Sequence, residues 1–206
     1  MKAYVFPLSP NARKVMAVAV HLDLPLDYQV VDLTKGETRT PEFLKLNPNG
    51  KMPVLVDGDF VLWESNAIMQ YLASQKPNGL WPDDARARAD ICRWQCWQLS
   101  EWMPACGPLL WENLLKAMLQ QGLPDAKAVH NAEANFLRTA SILDQHLAQR
   151  DYLVGDDVTL ADLAMAAPLE YAAAARMPWA SHEHLQRWYA RIDALPAWQK
   201  TKPQVG

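Results

Sequence analysis

Two places in the first seventy residues set a hydroxyl beside a helix start. In Ser9-Pro10-Asn11-Ala12-Arg13 a serine stands directly before a proline, and Val15, Val18, Ala19 and Leu22 then follow on one helical face. Serine at the N-cap and proline at the first helical position form a standard opening. The backbone N–H groups left over there carry positive potential, and a neighbouring hydroxyl can donate to an anion held at the same spot. The bare cap is the other reading of Ser9. Asn11, an amide at the same helix start, can assist Ser9 or replace it, and residue types do not rank the two. The second place is Trp63-Glu64-Ser65-Asn66-Ala67-Ile68. Here Ser65 and adjacent N–H groups can hold a carboxylate while Glu64 pairs with an ammonium. A plain serine cap beside a helix-start glutamate fits these letters equally.

These residues need elements to position them. Residues 3–6 read as a strand, followed by the helix from Pro10 and a second strand at 27–31; one helix between two short strands makes a parallel βαβ unit the economical topology. Tyr4, in mid-strand, reads as packed or cross-strand. A short helix is expected at 41–46, then a hairpin over 54–62 with Asp57-Gly58 as the positive-φ turn, then a helix at 65–73. Beyond Trp81 the pattern is helical throughout, and Gln75-Lys76-Pro77-Asn78-Gly79 carries the linker signal. The expected division is an α/β domain at 1–75, a linker at 76–82 and an all-α domain at 83–206. In the latter, Val129, Ala132, Phe136, Ala140, Leu143 and Leu147 mark one long amphipathic helix. Thr159-Leu160-Ala161-Asp162 reads as a capping box with Val158 and Leu163 as its staple, and short helices are expected at 183–194 and 196–200.

A third segment, Asn47-Pro48-Asn49-Gly50-Lys51-Met52-Pro53-Val54-Leu55, lies between the first two. In this order and spacing the three resemble the glutathione-binding framework of soluble glutathione transferases. The capping box resembles the one that opens the central helix of that family's C-terminal domain. The resemblance spans nearly the whole chain and implies an N-terminal thioredoxin-like α/β domain followed by an all-helical domain. It implies a serine-type site in which the Ser9 hydroxyl stabilises the glutathione thiolate, with Asn11 as the competing residue. Met52-Pro53 resembles the family's cis-proline, whose preceding backbone pairs with the cysteinyl part of glutathione in strand fashion; an ordinary trans proline at a strand start is the local alternative. By motif position, Glu64 and Ser65 would take the γ-glutamyl end, and Arg39 and Lys51 the glycyl carboxylate.

The implied activity is conjugation of glutathione, as co-substrate, to hydrophobic electrophiles by substitution or addition, a detoxification chemistry with no metal or redox cofactor. A homodimer in the cytoplasm is implied as well. Two other readings share the fold: a catalytically silent interaction module, and a glutathione-dependent isomerase or dehalogenase using the same site. No cysteine occurs in the thioredoxin-like part, residues 1–75, which disfavours the thiol transferases and reductases of this superfamily, and a Ser-Ser-Cys isomerase motif is absent.

Composition narrows the field further. Of 206 residues, 50% are apolar and 21% charged, with a net charge of −3 and no Lys/Arg run, so disorder and a nucleic-acid footprint are both disfavoured. The N-terminus lacks a continuous apolar signal region, since Pro7 and Pro10 cut it, so export is not expected. The apolar stretch 160–175 contains Asp162, Pro168 and Glu170 and is too short for a span of roughly 18–20 residues, so a buried helix is expected and no membrane partner. Cys92, Cys96 and Cys106 are few, odd in number and late, as suits a reducing compartment. Cys92 and Cys96 share a helix face without a His or carboxylate cluster, and His182 and His184 are expected at the surface, so no metal site is expected. Trp81, Trp94, Trp97, Trp102 and Trp111, with Met103, supply aromatic bulk expected to be mostly core, some of it available to line an apolar pocket.

Overall fold

The structure is a computed structural model that describes residues 1–33 and 35–203. The chain divides into two compact units. One comprises Met1–Pro82 together with the segment from Leu195 onward; the other is Asp83–Ala194.

The first unit opens with β1 (Lys2–Val5), α1 (Pro10–His21), β2 (Asp27–Val30) and α2 (Pro41–Leu46). It continues with β3 (Val54–Asp57), β4 (Phe60–Trp63) and α3 (Ser65–Ala73). The four strands form one sheet in the order β2-β1-β3-β4. β1 and β2 are parallel, as a helical crossover requires, while β3 runs antiparallel to both β1 and β4. In β1 the side chains alternate: Ala3 and Val5 are buried, while Tyr4, between them, meets Phe43 of α2 edge-on at 6.1 Å. Tyr4 is thus packed, as its mid-strand position suggests, beside the buried cluster of Val31, Phe43 and Val54, which Met52 also joins. α3 packs on β3, β4 and α1. In the hairpin, Asp57 stays in β3 opposite Phe60, and the positive φ of 61° falls on Gly58.

The second unit is helical. Its first three helices, α4 (Ala85–Trp97), α5 (Met103–Leu110) and α6 (Lys116–Met118), are joined by wider π-type turns at Gln98–Trp102 and Trp111–Leu115. Pro104 and Pro108 lie in α5, where each removes a helical donor, and the wider turns on either side keep the chain helical through that interruption. α7 (Ala126–His146) buries Ala132, Phe136, Ala140 and Leu143 along the predicted stripe. α8 (Leu160–Ala166) begins at the expected capping box: Asp162 accepts from the Thr159 N–H at 2.9 Å. α9 (Glu183–Asp193) closes this unit. Trp94 and Trp102 are buried and belong to the core; Trp81 and Trp97 are half-buried, Trp97 stacking on Trp102 with ring centroids 6.3 Å apart, and Trp111 is exposed, so the aromatic bulk is core only in part.

Two expectations need correction. α10 (Pro196–Lys200), placed by sequence within the helical half, packs on α1 and belongs to the first unit. The Arg13 guanidinium explains this: it donates to the Trp198 carbonyl at 3.0 Å and lies over the Trp198 ring at 4.1 Å. His182, expected at the surface, is buried at the start of α9, where its Nε2 lies 3.1 Å from Ser141 Oγ on α7. That partner is 41 residues away in sequence, so local polarity did not reveal it.

Candidate active site

Ser9 ends the connection from β1. Its N–H donates to the Phe6 carbonyl at 2.8 Å, its carbonyl accepts from the Arg13 N–H at 2.9 Å, and its Oγ accepts from the Ala12 N–H at 3.4 Å. φ and ψ of −79° and 122°, with Pro10 next, make it the N-cap of α1. A hydroxyl has one proton to give as well as lone pairs to receive. Because the cap uses Ser9 as an acceptor, the proton remains for an anion at the positive end of α1. Capping and anion donation are therefore compatible roles.

Asn11 points elsewhere. Its Oδ1 accepts a long hydrogen bond, 3.4 Å, from Ser65 Oγ at the start of α3. Ser65 is buried and is the first residue of α3, not its cap; the cap position belongs to Glu64. Glu64 is exposed and stands at φ 72° and ψ 109°, unusual for a residue with a side chain, and such conformations persist where the surroundings over-determine them. Its side chain makes no cap hydrogen bond. The result is a carboxylate at a helix mouth with a buried serine beside it, a pair suited to an ammonium and a carboxylate carried by one ligand.

The loop before β3 is organised by Asn47, which is buried. Its Nδ2 donates to the Lys51 carbonyl at 2.7 Å, and its Oδ1 accepts from the Asn49 N–H at 3.0 Å. Gly50 has a φ of 59°, and a Cβ there would lie 2.7 Å from Arg39 Nη1 and 3.0 Å from the Thr38 carbonyl. Glycine is needed both for the backbone and for that close approach. Arg39 Nη1 in turn reaches the Asn49 carbonyl at 3.4 Å, so Arg39 lies against the loop that bears Lys51, with both side chains exposed. The Met52–Pro53 bond is cis. Met52 falls just outside the ladders, whose first β3 residue is Val54, paired with Tyr4 and Trp63.

Lys14 and Asn66 did not stand out among the residues able to do chemistry. Both are buried, and Lys14 Nζ donates to Asn66 Oδ1 at 2.7 Å, tying α1 to the first turn of α3. Burial draws the Lys14 ammonium down to about 7, and the charge of Glu64 pushes in the opposite direction. The available signal was spacing: Lys14 stands four residues before Val18 and so shares a face with a buried position.

Two cavities, of about 470 Å³ beside Gln149–Asp151 and Gly155–Asp156 and about 370 Å³ between Tyr4, Val31 and α2, include none of the candidate site residues. Among the described residues no group of three or more His, Cys, Asp or Glu side chains is arranged to hold a metal ion. No described helix is long and apolar enough to cross a membrane.

A four-stranded βαβ-ββα unit with a cis-proline before β3 and paired helix mouths at Ser9 and Ser65, followed by a helical unit, defines a glutathione transferase fold. Residues 1–74 match the family model for the glutathione S-transferase N-terminal domain, and residues 104–196 match that for its C-terminal domain. The chain is 38% identical to glutathione S-transferase 3 of Zea mays, covering 98% of this chain and 92% of that protein. It is 33% identical to glutathione S-transferase theta-2B of Homo sapiens, covering 91% and 78% respectively. Among solved structures, glutathione S-transferase III in its apo form superposes with a TM-score of 0.86 at 36% identity, covering 100% of this chain and 98% of that one. A glutathione transferase from Phanerochaete chrysosporium, solved with oxidized glutathione, superposes at 0.84 with 26% identity, covering 97% and 92%. The chain belongs to the glutathione S-transferase family.

Proposed function

We propose that this glutathione S-transferase holds glutathione across the mouths of α1 and α3 and uses Ser9 to keep its sulfur as thiolate. The observation that carries the reading is the Ser9 hydroxyl, engaged as an acceptor by the cap of α1 and left with a proton to donate at the positive helix end. Glu64 and Ser65 receive the ammonium and carboxylate of the γ-glutamyl end. The main chain of Met52 pairs with the cysteinyl part, and Arg39 and Lys51 face the glycyl carboxylate. The stabilised thiolate attacks an electrophilic carbon of a hydrophobic co-substrate. A C–S bond forms, and either a leaving group departs with its electron pair or the electrons pass into an activated double bond that is then protonated. Asn11, turned toward Ser65, serves the α3 side of the site and ranks behind Ser9 for the thiolate.

Glutathione titration by calorimetry, paired with conjugation to an aromatic halide, tests this reading. Binding with turnover is expected, and absence of glutathione binding would overturn it. We place the protein in the cytoplasm as a homodimer, since two-fold dimers are the commonest assemblies and the edge strand β4 exposes Phe60, Val61 and Trp63. Sedimentation should show a dimer at micromolar concentration; a monomer alone would remove this part of the proposal.

A further inference from the structure

Lysine is seldom fully buried without a partner, and Lys14 has no solvent exposure. An apolar side chain of equal length would fill the same volume with no desolvation cost, so the amine calls for a reason at this position. Its contact supplies one: Nζ donates at 2.7 Å to Asn66, the residue next to Ser65 in the first turn of α3. Immediately before that turn stands Glu64, with a φ of 72° that a non-glycine residue adopts only where its surroundings enforce it. On the α1 side, Asn11 lies three residues before Lys14 and receives Ser65 Oγ, a second, longer link between the same helix starts. The Lys14 ammonium also feels the charge of Glu64 directly.

We propose that Lys14 is a positioning residue of the glutathione site: through Asn66 it fixes the first turn of α3 so that Glu64 and Ser65 meet the γ-glutamyl end of glutathione. The inference rests on the reading of the site given above. Lys14 touches neither glutathione nor the reacting sulfur, so its loss affects binding of the ground state and transition state alike.

The test compares the parent with Lys14→Met, Asn66→Leu, Glu64→Gln and the Lys14→Met/Glu64→Gln double variant, by calorimetric titration with glutathione and steady-state conjugation to an aromatic halide. Lys14→Met should raise the glutathione KM about tenfold or more while kcat stays within about threefold, the pattern of lost uniform binding. Glu64→Gln should weaken glutathione by about tenfold or more in the parent but only about threefold in the Lys14→Met background, because residues acting as one unit are non-additive. Parent-like KM in folded Lys14→Met, or single effects that simply multiply in the double variant, would overturn the proposal. Should Lys14→Met fail to fold, Asn66→Leu breaks the same bond from α3: a raised KM with kept kcat supports the proposal and an unchanged KM overturns it. A parent protein that does not bind glutathione would instead defeat the underlying site assignment.

Discussion

Ser9 and Lys14 sit five positions apart on one helix and differ in what makes them testable. A free thiol titrates near ~8.5, so lowering it by about two units takes roughly 2.7 kcal/mol of preference for the thiolate. One hydrogen bond to a charged acceptor provides about 1.5–3 kcal/mol and a helix N-terminus about 0.3–1 more, so hydroxyl and helix together suffice. Ser9→Ala should therefore leave glutathione affinity within about a few-fold, raise the bound thiol's pKa by about 1–2 units and cut conjugation near neutrality about tenfold. The ultraviolet thiolate band followed against pH measures this; a parent-like titration in Ser9→Ala and a shifted one in Asn11→Ala would move the role to Asn11. The Lys14 ammonium titrates near ~10.4 in an unfolded chain but is held to about 7 in the fold by burial. Between those values the unfolded chain keeps a proton that the folded one has released. The penalty is therefore absent above the upper value, grows as pH falls through the window and is complete below the lower one. Stability of the parent relative to Lys14→Met should rise from neutral to alkaline pH, with a slope of at most ~1.4 kcal/mol per unit. Urea unfolding of both proteins across that range decides it, and parallel stability curves would mean that Lys14 titrates as an exposed lysine does. Ser9 was legible because cap and proline are adjacent letters, whereas Lys14 was not, since Arg13-Lys14 reads as a polar flank until α3 covers it.

Elements whose signals are local were read nearly to the residue. α2 spans the expected 41–46, its Thr40-Pro41 start built like that at Ser9-Pro10, and α3 spans the expected 65–73 although Glu64, which makes no side-chain cap bond, holds its cap position. The capping box of α8 was legible for the same reason, all its parts lying within Thr159–Asp162. What those letters could not reveal is that Asp162 serves three elements at once. Besides the Thr159 N–H and hydroxyl, its carboxylate accepts from the Leu153 N–H and from Trp188 Nε1 of α9, both at 2.9 Å. Asp162 is fully buried, so its donors have no water to turn to when it is removed. A cap alone is worth about 1 kcal/mol, and Thr159→Ala should cost that much. Asp162→Ala strands several buried donors together and should cost about 3–5 kcal/mol, read from denaturant midpoints. Equal losses in the two variants would show that Asp162 is only a cap. The same limit hid the burial of His182 and the cap position of Glu64: each depends on where a distant helix or a strained backbone places the residue.

At the scale of the molecule, the first unit is assembled from two stretches of chain, because α10 returns to α1 after the whole second unit has been traversed. No periodicity announces this, since a helix of five residues is too short to show which face it buries. The attachment is chemically specific. Trp198 is fully buried, its carbonyl accepts from Arg13, and its ring lies under the Arg13 guanidinium at 4.1 Å. Arg13 is itself buried, so the ring and the carbonyl stand in for water around a cation on the helix that Ser9 caps. Removing the ring costs the transfer and cavity terms of a large aromatic, about 3–5 kcal/mol for Trp→Ala. It also exposes or strands the cation, loosening the start of α1 and with it the proposed thiolate site. Trp198→Phe keeps a π face over which the guanidinium can lie and discards an indole N–H that is buried without a partner among the described residues. That substitution should cost about 1 kcal/mol or less, since the remaining ring fills most of the volume. The pair of variants separates a clamp from simple bulk. Trp198→Ala should lose both stability and glutathione affinity, the latter by about tenfold if α1 shifts, whereas Trp198→Phe should keep both. Urea unfolding and glutathione titration on the full chain measure the two quantities, and a Trp198→Ala protein that binds glutathione like its parent would show that α10 holds the fold without holding the site.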